Sequence, residues 1–122
     1  MATIELTEEN FNSTIESSAF VIIDFWAPWC APCRNFAPIF EAASEAHPDI
    51  VFAKVNTEEE QGIAGAFSIR SIPTLMVFRD QIVLYSQPGA LPGQQFEQLI
   101  AQASALDMEK VRAEVAAQQS EG

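Results

Sequence analysis

The 122-residue chain holds two cysteines, one histidine, one tyrosine and six basic residues, and each shortage narrows what it can be. Two cysteines cannot build the multi-bridge framework on which small secreted domains rely. A zinc site of the usual kind needs four cysteine or histidine ligands, and His47 is the sole addition to the pair. An intramolecular zinc site therefore fails on count and no metal is expected, although a four-cysteine site bridging two copies stays open. Six basic against 17 acidic residues give a net charge of −11, which repels a phosphate backbone and excludes nucleic acid as a partner. No apolar run approaches the roughly 20 residues of a membrane span, so no membrane association is expected. The opening Met1-Ala2-Thr3-Ile4-Glu5 has no basic patch followed by an apolar stretch. No export signal is read there, and a cytoplasmic location is expected.

What is present suits one domain, with a hydrophobic share of 48% and no repeats or low-complexity tracts before the last fifth. Ala2 to Leu6 reads as a short edge strand. Thr7-Glu8-Glu9-Asn10 resembles a helix start, with Phe11 and Ile15 four apart on one face. Val21-Ile22-Ile23-Asp24-Phe25-Trp26 is almost continuously apolar, as a central strand covered on both faces must be. A helix is predicted from about Pro32 to Ala46, with a kink at Pro38, which cannot donate to the carbonyl four residues back. Ile50 to Val55 is a second buried strand. Glu58 to about Phe67 reads as a helix whose three opening glutamates face its positive end. Thr74–Phe78 and Ile82–Ser86 are strands joined by Arg79-Asp80-Gln81, too short a link for anything but an antiparallel hairpin. Gln94 to Ala103 closes the domain, with Phe96, Leu99, Ile100 and Ala103 facing inward. The order implies an α/β fold, a mixed sheet with helices packed on it.

The two cysteines stand in Trp29-Cys30-Ala31-Pro32-Cys33, directly after a strand and before a helix. A separation of three residues at a helix start puts both sulfurs on one side, close enough to bridge. The first lies where backbone N–H groups have no intrahelical partner and the dipole is positive, both of which favour the reactive thiolate. A thiol with a pKa near ~8.5 is about 3% ionised at pH 7, so lowering it by one or two raises that share about tenfold or more. Pro32 is tolerated in the first helical turn and stiffens the loop. Pro28 and Trp29 shield one side and leave Cys30 the more accessible sulfur. Two inert core thiols would be the bland alternative.

Asp24 interrupts an apolar strand, on the face shared by Ile22 and Trp26, six residues before Cys30. A carboxyl so placed is desolvated, which raises its pKa and lets it exchange a proton near neutral pH. Capping of a nearby backbone group is the competing role.

Together these segments resemble the thioredoxin family. Val21 to Arg34 is similar to the family's active-site segment and Ala53-Lys54-Val55-Asn56 to its third strand. Ile69-Arg70-Ser71-Ile72-Pro73-Thr74 resembles its cis-proline loop, and Pro88-Gly89-Ala90-Leu91 the turn before its last helix. The likeness runs from about Thr3 to Ala103, with the four motifs in order. It implies the thioredoxin fold, a central mixed five-stranded sheet flanked by four helices, for residues 1–103. Residues 104–122 form an extension past the family's usual end, in which Asp107 caps a helix with Met108, Val111 and Val115 on one face, followed by a disordered end.

The resemblance also implies roles. Cys30 is the attacking nucleophile and Cys33 the resolving thiol. Asp24, with Lys54 alongside, takes and returns the proton of Cys33. Pro73 is cis and leaves the Ile72 backbone free to pair with an extended substrate strand. Trp29, Ala31, Pro32, Ile72, Pro73, Gly89 and Ala90 form the surface that receives the partner. The implied activity is reduction of disulfides in partner proteins by a monomer that needs no cofactor and is recharged by an NADPH-dependent thioredoxin reductase. Two departures bear on that recharging: Ala31 where the family usually has glycine, and Ser71 where glycine is frequent. An oxidant or isomerase of the same fold, and a co-chaperone or binding module using the rim and the tail, are the competing functions.

Overall fold

The computed structural model describes residues 2–121. In chain order the elements are β1 (Thr3–Glu5), α1 (Phe11–Ser17), β2 (Phe20–Trp26), α2 (Ala31–Ala46), β3 (Val51–Asn56), α3 (Gln61–Ala66), β4 (Thr74–Arg79), β5 (Ile82–Pro88), α4 (Gly93–Ala105) and α5 (Met108–Glu121). The five strands form one sheet in the order β1-β3-β2-β4-β5. β3 pairs parallel with β1 and β2, whereas β4 pairs antiparallel with β2 and β5, so the mixed sheet expected from the sequence is the one observed.

β2 lies at the centre, and its apolar run reflects cover on both faces: Val21 to Phe25 are all fully buried. Ile22 faces α2 and α4, in a core with Phe36, Phe40, Phe52, Leu75, Val77, Phe96 and Ile100. Four of its phenylalanines interlock, Phe96 meeting Phe36 edge-on at 5.3 Å and Phe40 stacked at 5.9 Å, while Phe40 meets Phe52 edge-on at 5.4 Å. Val21, Ile23 and Phe25 point the other way, into a second core with Ile15 of α1 and Ile63 of α3. Period-two alternation thus places Asp24 on the α2 side of the sheet, between Lys54 of β3 and Leu75 of β4.

Three boundaries differ from the sequence expectation, each for a local reason. α1 begins at Phe11, because Thr7 to Asn10 form a turn closed by the Thr7 N–H donating to Asn10 Oδ1 at 2.7 Å. α3 begins at Gln61 and not at Glu58. Asn56 at the end of β3 accepts the Glu58 N–H on Oδ1 at 3.0 Å and the Glu60 N–H on its carbonyl at 2.9 Å, which holds the glutamates in a turn ahead of the helix. The hairpin link has two residues, because Arg79 still pairs with Ile82. Asp80 (φ 52°) and Gln81 (φ 68°) both adopt the left-handed conformation that a two-residue hairpin turn matching strand twist requires.

Pro38 lies inside α2, which continues through it to Ala46. After α4, the chain turns at Leu106 and starts α5, whose first turn is capped by Asp107 Oδ1 accepting from the N–H groups of Glu109 and Lys110. Met108 is buried, and Val111 and Val115 are half-buried. Arg79 at the end of β4 fixes this junction by donating to the carbonyls of Ala103, Ser104 and Leu106 at 3.2–3.4 Å. The Arg112 guanidinium of α5 binds the Asp80 carboxylate in the hairpin turn. α5 is therefore anchored at its first turns to the far end of the sheet from the cysteine pair. Met1 and Gly122, the latter at the expected disordered end, lie outside the described residues.

Candidate active site

The cysteine pair sits where β2 hands over to α2. Cys30 is the N-cap residue of α2, in an extended conformation, with Pro32 in the first helical turn. Cys30 and Cys33 are joined by a disulfide, their Cα atoms 5.2 Å apart. The Cys33 N–H, one of the unpaired donors at the helix start, points to Cys30 Sγ at 3.2 Å. That donor and the dipole behind it would stabilise negative charge on the same sulfur once the bridge opens.

Both sulfurs are enclosed in this bridged state: Cys30 is 4% and Cys33 2% exposed. The greater accessibility expected of Cys30 is therefore slight in area. Ala27, Trp26 and Ile72 pack around the pair and cover it. The Ile72 carbonyl approaches Cys30 Sγ to 3.8 Å, a contact and not a hydrogen bond, since a bridged sulfur carries no hydrogen. The Ile72–Pro73 peptide is cis, as the family resemblance implies. Gly89 (φ +108°) donates its N–H to the Pro73 carbonyl at 2.7 Å and so clamps the turn after β5 to the proline loop. Among the described residues no backbone hydrogen bond engages the N–H or the carbonyl of Ile72.

The residues expected at the rim are brought to this one end. Trp29 is 65% exposed, and Ala31, Pro32, Gly89 and Ala90 are exposed with it, while Ile72 is half-buried and Pro73 buried. Beneath them, Asp24 is fully buried, and neither carboxyl oxygen has a hydrogen-bond partner. Burial pushes its pKa up to about 7, and the positive charge of Lys54 offsets only part of that. The competing backbone-capping role is thus unsupported. Lys54 is Asp24's register partner, yet its Nζ lies over the Trp26 ring, 4.7 Å from the centroid, and makes no hydrogen bond to the carboxyl.

Two contributors were not legible in the sequence. The Trp29 indole N–H donates to Glu58 Oε1, so a residue read as part of a solvated helix start instead orients the exposed ring beside Cys30. Arg34 donates to the Pro28 carbonyl at 2.8 Å and braces the loop ahead of the pair. The Asn56-x-Glu58 spacing, a turn signature after a strand, was the available hint for the first; nothing local marks the second. Among the described residues no cluster of three metal-ligating side chains exists.

A cysteine pair bridged across the first turn of a helix, with a protonatable carboxyl buried under it, defines a thiol–disulfide oxidoreductase. The Thioredoxin family profile matches residues 2–102. A Streptomyces coelicolor protein assigned as thioredoxin 2 is 52% identical over 120 residues, 98% of this chain and 90% of its own. A thioredoxin of Alicyclobacillus acidocaldarius is 41% identical over 82% of this chain and 96% of its own. Among solved structures, a Plasmodium falciparum thioredoxin superposes with a TM-score of 0.76 at 32% identity, over 82% of this chain and 97% of its own. Oxidised mitochondrial thioredoxin 3 of Saccharomyces cerevisiae gives 0.75 at 28%, over 82% and 94%. This chain belongs to the thioredoxin family. Its fold is the thioredoxin fold, and its activity is protein-disulfide reduction through Cys30 and Cys33, with disulfide-containing proteins as substrates.

Proposed function

We propose that the reduced protein works as a monomeric electron carrier in which each site residue has one task. The Cys30 thiolate attacks a partner disulfide, one partner sulfur leaves as a thiolate that takes up a proton, and a mixed disulfide remains. Cys33 gives its proton to the Asp24 carboxylate and attacks Cys30. The partner's second sulfur then leaves as a thiolate that takes up a proton, Asp24 gives up the one it accepted, and the Cys30–Cys33 bridge is restored. The partner gains two electrons and two protons, and the dithiol loses them. Asp24 suits the transfer because a carboxyl with a pKa near 7 both accepts and returns a proton at neutral pH. Lys54 acts by its charge, keeping the carboxylate accessible against the cost of burial.

Trp29, Ala31, Pro32, Ile72, Pro73, Gly89 and Ala90 receive the partner, and the unengaged N–H and carbonyl of Ile72 are the groups that pair with its extended backbone. Residues 1–103 carry this function, and residues 104–122 are an extension held away from the site. Recharging comes from an NADPH-dependent thioredoxin reductase acting on the bridge, in the cytoplasm, with no cofactor or metal bound to the chain itself.

The single observation that carries the reading is the disulfide capping α2 above a buried carboxyl that lacks any partner. Insulin-disulfide reduction tests it, driven either by dithiothreitol or by NADPH with a thioredoxin reductase. Cys30→Ser should abolish turnover with both donors. Full activity of that variant would remove the nucleophile from the scheme, and wild-type turnover with dithiothreitol alone would remove the reductase.

A further inference from the structure

On the side of the proline loop away from α2, the loop and the end of β5 enclose a recess of about 230 Å³. Its polar lining is Ser68, Arg70, Ser71, Thr74 and Ser86, with no acidic residue. The recess is smaller than the roughly 300–1,000 Å³ of small-molecule sites, and its size suits one side chain. Thr74 Oγ1 is occupied, donating to the Ser71 carbonyl at 2.5 Å. Among the described residues no hydrogen bond or ion pair engages the Arg70 guanidinium or the hydroxyls of Ser68, Ser71 and Ser86.

Among the described residues, Arg70 is distinguished from the other arginines by having neither a hydrogen-bond nor an ion-pair partner. Arg79 and Arg112 are tied into the α4–α5 junction, Arg34 is held by Pro28 and Lys54 lies over Trp26. Arg70 stands two residues before Ile72, whose carbonyl lies 3.8 Å from Cys30 Sγ. A partner segment pairing with Ile72 would lie along the same loop that carries Arg70 two residues earlier.

Resting on the substrate-pairing role of Ile72, we infer that this recess is a specificity subsite for an acidic side chain flanking the partner's cysteine. The guanidinium presents a planar fork of donors that matches a carboxylate, and the serine hydroxyls add to it. The subsite acts against the field of the whole molecule. A net charge of −11 on its own favours basic substrates, so a local preference for acidic ones has the opposite sign.

Three cystine-bridged peptides differing only in Glu, Gln or Lys beside the cysteine test this, with dithiothreitol as the reductant. For the wild type, kcat/KM should fall in the order Glu, Gln, Lys, with about three- to fivefold between the ends, carried in KM, and shrinking as salt is raised. Arg70→Gln should bring the Glu-to-Gln ratio to about one, and Arg70→Glu should invert the order. Equal reduction of all three, a preference for Lys, or an order that survives Arg70→Gln would overturn the subsite and leave the redox chemistry standing. Failure of the wild type to reduce any of the three would overturn the redox reading itself.

Discussion

Replacing Asp24 with asparagine separates the cost of burying a charge from every other contribution of that position. In the folded protein the carboxyl titrates at about 7, against 3.8 when unperturbed. Between those values the native state holds a proton that the unfolded chain has released, so wild-type stability falls as pH rises. The contribution is fully present below pH 3.8 and lost above 7. At 1.36 kcal/mol per pH unit the whole loss is about 4 kcal/mol, of which about 2.5 kcal/mol falls between pH 5 and pH 8. Asparagine carries no such dependence. It leaves an amide without partners among the same neighbours, at a cost of roughly 1–3 kcal/mol at every pH.

Urea unfolding of the two oxidised proteins at pH 5, 6.5 and 8 should therefore show Asp24→Asn gaining steadily on the wild type. The difference in free energy should move in its favour by about 2.5 kcal/mol across that range. Groups that titrate in both proteins, Glu5 included, cancel in the comparison. A difference that stays flat within about 0.5 kcal/mol would refute the reasoning, since a carboxyl ionised at pH 5 in the folded state bears no such cost. The same variant should slow the resolving step of the catalytic cycle, so that mixed disulfide accumulates in a rapid-quench experiment.

Three further outcomes follow from positions other than the cysteines and Asp24. Gln81→Gly removes a side chain from a left-handed position (φ 68°) and should stabilise the protein by about 0.5–1 kcal/mol in urea unfolding. Arg79→Ala leaves the carbonyls of Ala103, Ser104 and Leu106 without their shared donor, and should cost about 1–2 kcal/mol while freeing α5 for proteolysis well below the global unfolding midpoint. Glu58→Ala deprives the Trp29 indole of its acceptor and should raise KM for insulin about two- to fivefold with kcat nearly intact, as expected of a residue that positions the rim.

The parts of this molecule that were legible in its sequence are those fixed by local pattern. β2 declares itself by its unbroken apolar run, and Asp24 stands out because it breaks that run. The cysteine pair is read from its place between a strand and a helix start. The readings that moved depend on contacts a linear pattern does not carry. Glu58 to Glu60 fit a helix start by composition, yet Asn56 captures their amides and delays α3 to Gln61. Lys54 was identified as Asp24's companion only through the family resemblance; the two are register partners, but the Trp26 ring draws its ammonium away from direct contact. The brackets of Arg34 on Pro28 and Arg79 on the α4–α5 junction join segments whose proximity only the folded sheet creates.

The disposition of positive charge ties stability and chemistry together in so acidic a chain. Burial raises the pKa of Asp24, and the positive charge of Lys54 offsets part of that rise. A direct ion pair would go further and hold the carboxylate ionised, unable to return the proton. With its Nζ over Trp26, Lys54 acts on Asp24 through its charge and without a hydrogen bond, and the carboxyl stays near 7. The Trp26 ring thus holds the Lys54 ammonium near Asp24 but off its carboxyl, and its position one residue beyond Phe25 on the Asp24 face follows from strand alternation.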